Sequence, residues 1–148
     1  MTSYRWADLG VVRAHIAAHH GGDLPPDARL GDIVLHDHQR DAAARLRRAI
    51  DRFGGALLAD EVGLGKTYTA LAAMHREKSL LIVSPASLTG MWRDALDRSR
   101  MRADIISFET LSRRAPARQD RSDAVIIDEA HHVRNPGTRR YAHLASLT

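Results

Sequence analysis

The chain has 148 residues, 44% of them hydrophobic and 27% charged, with a formal net charge of +4. This is the length and composition of one globular domain, and no run nears the roughly 20 apolar residues of a membrane span. The absence of cysteine excludes disulfides, zinc ribbons, iron–sulfur clusters and thiol catalysis, and a start without an apolar h-region predicts no signal peptide and a cytoplasmic protein.

Residues 4–20 place Leu9, Val12 and Ile16 at helical spacing, and Gly21-Gly22 would end that helix. Residues 21–32 carry Gly, Pro and Asp and read as a linker. The main boundary falls there. Residues 1–32 form an N-terminal helical extension and linker, and residues 33–148 form the principal domain. Residues 36–53 read as a helix ended by Gly54-Gly55. The apolar run 56–59 predicts a short strand, followed by a Gly-containing loop and a helix from Lys66 to about Arg76. A second strand covers 80–83 and stops at Ser84-Pro85. A helix over 87–98 gathers Leu88, Met91, Trp92, Ala95 and Leu96 on one face, with Trp92 in the core against the sheet. Strands follow over 104–108 and 124–128, then a helix over 138–146. The Arg-rich stretch 112–121 reads as a solvated surface loop. The strands are continuously apolar, as strands buried on both faces are. Alternating strand and helix predicts an α/β fold with a mainly parallel sheet covered by helices.

Between the first predicted strand and its helix lies Asp60-Glu61-Val62-Gly63-Leu64-Gly65-Lys66-Thr67. That context is the one a phosphate-binding loop requires. Gly63 and Gly65 let the backbone pass close to phosphate oxygens with N–H groups turned inward. The helix that follows adds its positive dipole end. Lys66 would reach the β- and γ-phosphates, and the Thr67 hydroxyl would ligate Mg²⁺. Only two of the 22 basic residues are lysine, which singles Lys66 out. The usual pattern Gly-x-x-x-x-Gly-Lys-Ser/Thr has Gly where this chain has Asp60. A Gly-rich turn beside a surface lysine is the plain alternative.

Val125-Ile126-Ile127-Asp128-Glu129-Ala130-His131 is an apolar strand ending in two carboxylates. Parallel strands deliver such residues to the carboxyl edge of a sheet, where phosphate loops also open. Asp128 would hold Mg²⁺, and Glu129 would orient and deprotonate the attacking water.

Taken in order, the loop at 60–67 and Asp-Glu-Ala-His at 128–131 resemble superfamily-two helicases, and more narrowly the Swi/Snf-type double-stranded-DNA translocases. In that family the loop commonly begins with Asp-Glu, so Asp60 and Glu61 agree with it. The resemblance covers about residues 33–148. It implies a RecA-like P-loop NTPase lobe, a three-layer sandwich, binding ATP and Mg²⁺ and acting on double-stranded DNA. Leu35-His-Asp-His-Gln39 resembles the upstream Gln motif, in which Gln39 would read the adenine edge. Residues 83–88 with Trp92, and residues 106–111, resemble segments that face DNA. His131-His-Val-Arg-Asn135 resembles the family's extension after the acidic strand, where His131 would couple the nucleotide and DNA sites. Gln39, Asp60, Glu61, Gly63, Leu64, Gly65, Lys66, Thr67 and His131 would surround the nucleotide. Lys66, Asp128 and Glu129 would be catalytic, with Thr67 and Asp128 holding the metal.

The same resemblance implies a further strand, which Leu147-Thr148 would begin, and a second RecA-like lobe. That lobe would supply arginine fingers, worth roughly 10³–10⁵ in rate, and half of the DNA groove. The sheet is therefore expected to be incomplete at its C-terminal side, either because the chain is truncated or because a second lobe acts in trans. Three other readings stand beside a DNA translocase: a non-catalytic nucleotide- or DNA-binding fragment, a P-loop ATPase that does not use nucleic acid, and a strand-separating restriction or repair helicase subunit. A metal site among His15, His19, His20, His36 and His38 has no acidic or thiolate ligand to support it. Arg45, Arg47, Arg48 and Arg52 read first as a solvated helix face and second as a DNA-facing one.

Overall fold

A computed structural model describes residues 29–59, 63–114 and 122–147. The predicted helix over 4–20 lies outside these residues, as do Asp60, Glu61 and Val62, most of the Arg-rich stretch, and Thr148. The elements are β1 (Arg29–Leu30), β2 (Ile33–Val34), α1 (Asp37–Phe53), α2 (Lys66–Ala73), β3 (Leu80–Ser84), α3 (Thr89–Ser99), β4 (Asp104–Ser107), α4 (Phe108–Arg113), β5 (Ala124–Ile127) and α5 (Arg139–Ala145). Short 3-10 turns cover Ala86–Leu88 and Ala130–Val133.

β3 is buried along its whole length and is the central strand of a parallel sheet ordered β4-β3-β5. Ile82 aligns with Ile105 on one side and with Ile126 on the other. Successive side chains of a strand point to opposite faces, so β3 feeds two cores. Leu80 and Ile82 pack with Leu71, Ala73, Trp92 and Leu96 beneath α1, α2 and α3. Leu81 and Val83 pack with Phe108, Leu111, Val133 and Leu144 beneath α4 and α5. The result is the expected α/β arrangement, with helices on both faces of a parallel sheet.

Most predicted elements are present, and their ends have local causes. Gly54 closes α1 in the left-handed conformation at φ 74°, with its N–H on the Ile50 carbonyl at 2.8 Å. Ser107 ends β4 one residue earlier than expected. Its hydroxyl accepts from the Thr110 N–H at 3.2 Å and caps α4. Phe108 therefore opens a helix instead of closing a strand, and is 1% exposed.

Two expectations are corrected. Residues 55–59 have no regular secondary structure, and Leu57 is 80% exposed. An apolar run becomes a strand only where a neighbour accepts its N–H and C=O groups, and no described strand lies alongside this one. Residues 29–34 are a small antiparallel hairpin, not linker. It crosses the expected boundary at residue 32, and Leu30 and Ile33 join the core beneath α3. The Asp32 N–H donates to the Arg98 carbonyl at 2.8 Å, and Asp32 pairs with Arg100 at 2.7 Å. A β-carbon on Gly31 would fall 2.5 Å from the Ser99 carbonyl carbon, so the hairpin tip sits directly on the end of α3.

Candidate nucleotide and metal site

The loop before α2 has the backbone its glycines permit. Gly63 and Gly65 are left-handed, at φ 92° and 71°, a region that residues with a β-carbon rarely enter. Gly65 is the N-cap of α2, and Lys66 and Thr67 are the first two helical residues. Both are half-buried. The first N–H groups of a helix have no partner within it and point out of its end. The positive end of the dipole thus lies where Lys66 and Thr67 begin the helix.

Gln39 braces this loop. It is buried at 6% exposure, and its side-chain amide is engaged at both ends. Oε1 accepts from the His36 N–H at 3.0 Å, and Nε2 donates to the Leu64 carbonyl at 3.2 Å. The structure therefore joins the predicted Gln39 and Leu64 to each other.

At the other end of the site, Asp128 follows β5 directly, with its N–H on the Val83 carbonyl at 2.9 Å. The carboxylate is half-buried and receives two donors. The Glu129 N–H reaches Oδ1 at 2.9 Å, and the Trp92 indole Nε1–H reaches Oδ2 at 2.9 Å. Trp92 is in the core, 2% exposed, as expected. Its bond to Asp128 is a connection that the sequence did not reveal. A buried indole N–H needs an acceptor, which is the one available hint, but it names no partner.

Glu129 is exposed and left-handed, at φ 52° and ψ 50°. A non-glycine residue held there stores strain of about 1 kcal/mol or more. The turn aims its carboxylate back at His131, with Oε2 3.1 Å from Nδ1. From His131 a run of ring contacts leads away. Its centroid is 4.4 Å from His132, and His132 is 5.3 Å from Phe108. The Arg140 guanidinium covers Phe108 at 5.4 Å and donates to the Ser112 hydroxyl and the His132 carbonyl. The acidic turn is thereby in physical contact with the 106–111 segment. That segment is tied in turn to residues 83–88, because the Ala86 N–H donates to Glu109 Oε2 at 3.1 Å. Hydrogen bonds from the Glu109 backbone N–H, Ser107 and Ala86, with the charge of Arg140, hold the Glu109 carboxyl below its ordinary pKa.

Arg47 bridges Glu77 and Asp51, which raises its pKa, Glu77 being the larger cause. It therefore ties α1 to the segment that follows α2. His36 and His38 stack at 5.6 Å, and no cluster of three metal-ligating side chains exists among the described residues.

The donor set nevertheless fits one hard divalent cation. A hydroxyl and a carboxylate are oxygen ligands of the kind Mg²⁺ prefers, with phosphate and water completing the shell. Consecutive residues of α3 touch both. Met91 Sδ lies 3.8 Å from the Thr67 hydroxyl, and Trp92 holds Asp128. Each Asp128 oxygen keeps a lone pair beyond its one hydrogen bond.

No protein-family model matches the chain. Individual proteins do. It is 31% identical over 137 residues to the SWI/SNF-related matrix-associated actin-dependent regulator of chromatin subfamily A-like protein 1 of Xenopus tropicalis, a match covering 77% of this chain and 14% of that protein. It is 33% identical over 135 residues to the uncharacterized ATP-dependent helicase YqhH of Bacillus subtilis, covering 74% of this chain and 24% of that one. Its fold matches the Sulfolobus solfataricus SWI2/SNF2 ATPase core, solved in complex with double-stranded DNA, with a TM-score of 0.73 at 21% identity, over 86% of this chain and 32% of that one. The chain spans between one seventh and one quarter of these two curated relatives. With this fold and these relatives, the chain belongs to the SWI/SNF-related family.

Proposed function

We propose that residues 33–148 are the ATP-binding part of a DNA-dependent ATPase, the first of two RecA-like lobes that move along or remodel duplex DNA. The observation that carries this reading is the shared contact of α3. Met91 lies against Thr67 and Trp92 against Asp128, so one helix touches both the loop before α2 and the acidic turn.

In this reading Lys66 and the N–H groups at the start of α2 hold the nucleotide phosphates. Thr67 and Asp128 would hold Mg²⁺, which would supply neutralisation of phosphate charge. Glu129, exposed at the tip of its turn, takes the proton from the attacking water. Gln39 positions the loop through Leu64 and would present its remaining amide valence to the adenine edge. His131 ties Glu129 to the contacts leading through His132 and Phe108 towards the DNA-facing segments. Duplex DNA would be held by its phosphates, without sequence readout and with salt-sensitive affinity. Asp60 and Glu61 would begin the loop as in the family, and a cytoplasmic location accompanies this reading. A second lobe, in cis or in trans, would bring the arginine fingers.

The test is the ATPase rate of the chain with and without duplex DNA, beside MgATP binding. MgATP binding with negligible turnover supports a half-site awaiting its second lobe. DNA-stimulated turnover supports a site completed by association. Failure to bind MgATP overturns the assignment.

A further inference from the structure

We infer that Trp92 is a positioning residue for the metal-holding carboxylate. Its indole N–H sets the orientation of Asp128, so Trp92 tunes divalent-cation affinity while packing in the core. This rests on the reading of Asp128 as a metal ligand.

Three observations carry it. The indole has one donor and no acceptor, and at 2% exposure that donor has no water to turn to. Its acceptor is Asp128 Oδ2, at 2.9 Å. A hydrogen bond to a carboxylate is among the stronger kinds, and here the donor is packed in the core with Ala95, Leu96 and Leu80 and Ile82 of β3. The other oxygen, Oδ1, is held by the Glu129 N–H at 2.9 Å. With one donor on each oxygen, the carboxylate plane is set from both sides, and the free lone pairs are the ones left for a cation. Partners that orient a ligand in this way change metal affinity by about 10- to 100-fold when removed.

The indole is not replaceable by bulk alone. Phenylalanine would fill most of the same space between α3 and the sheet, but would leave Oδ2 without its donor. The hydrogen bond and the packing can therefore be separated by Trp92→Phe.

The experiment measures ADP binding to the full 148-residue chain by calorimetry, in Mg²⁺ and in EDTA. The wild type should bind ADP more tightly in Mg²⁺. Asp128→Asn should abolish that gain. Trp92→Phe should cut the gain by about tenfold and leave the metal-free affinity unchanged. If Trp92→Phe keeps the full gain while Asp128→Asn loses it, Trp92 is packing only and the inference falls. If Asp128→Asn also keeps the gain, the metal reading itself falls. Should Trp92→Phe not fold, the indole N–H resonance of wild-type Trp92, distinguished from Trp6 by Trp6→Phe, provides the readout. It should resist solvent exchange and move upfield in Asp128→Asn, and an unmoved, unprotected signal overturns the inference.

Discussion

Gln39 stands so close to Gly65 that a β-carbon on the glycine would lie 2.2 Å from the glutamine Nε2. Gly65 is left-handed at φ 71°. The N-cap of α2 thus needs glycine for its dihedral angle and for the space that Gln39 occupies. Gly65→Ala should cost about 1–2 kcal/mol in unfolding free energy and displace the Gln39 amide from Leu64. Adding Gly65→Ala to Gln39→Ala should cost less than adding it to wild type, because the steric part is gone. Denaturant melts of the two singles and the double form the cycle; strict additivity would show that the contact carries no energy.

Lys66→Ala should lower ATP affinity by roughly one to two orders of magnitude, the worth of a charge-assisted contact to phosphate. Stability should change little, since Lys66 is only half-buried at a helix start. Equilibrium binding of a fluorescent ATP analogue checks this, and unchanged affinity removes Lys66 from the phosphate site.

Glu129 separates chemistry from strain. Glu129→Gln should spare ATP binding and, in a form completed by a second lobe, reduce turnover by about 10²–10⁴-fold, as the loss of a general base does. Glu129→Gly should relieve the φ of 52° and raise stability by about 1 kcal/mol, a few degrees in melting temperature, while equally stopping turnover. A Glu129→Gly melt no higher than wild type would mean that the turn is not strained.

Glu109 links the 106–111 segment to residues 83–88 through the Ala86 N–H, and its pKa is lowered in the folded state. A lowered carboxyl pKa contributes stability that is present above the unfolded value, near 4.5, and lost as pH falls through the folded value. Glu109→Gln should therefore melt below wild type at pH 7, and the gap should close as the pH drops below about 4.5. Paired thermal melts across that range test the sign, and a gap that widens in acid contradicts it.

Much of this molecule is legible along the chain. Continuous apolar runs at 80–83 and 124–127 announced a parallel sheet, because only strands covered on both faces are apolar at every position. Gly54 marked a helix end, and the glycines before Lys66 marked a tight approach, because positive φ is a property of single residues. The loop at 60–67 and the carboxylates at 128–129 stood out through residue type, order and spacing alone. Tertiary structure decided what depends on neighbours distant in sequence. The run at 56–59 has no strand beside it, and composition cannot supply one. Residues 29–34 became a hairpin because the end of α3 receives Gly31 and Asp32. Trp92 meets Asp128 across 36 positions, and Gln39 meets Leu64 across 25. Local propensity acts over a few residues, whereas these bonds exist only after the helices have docked on the sheet and excluded water from their donors.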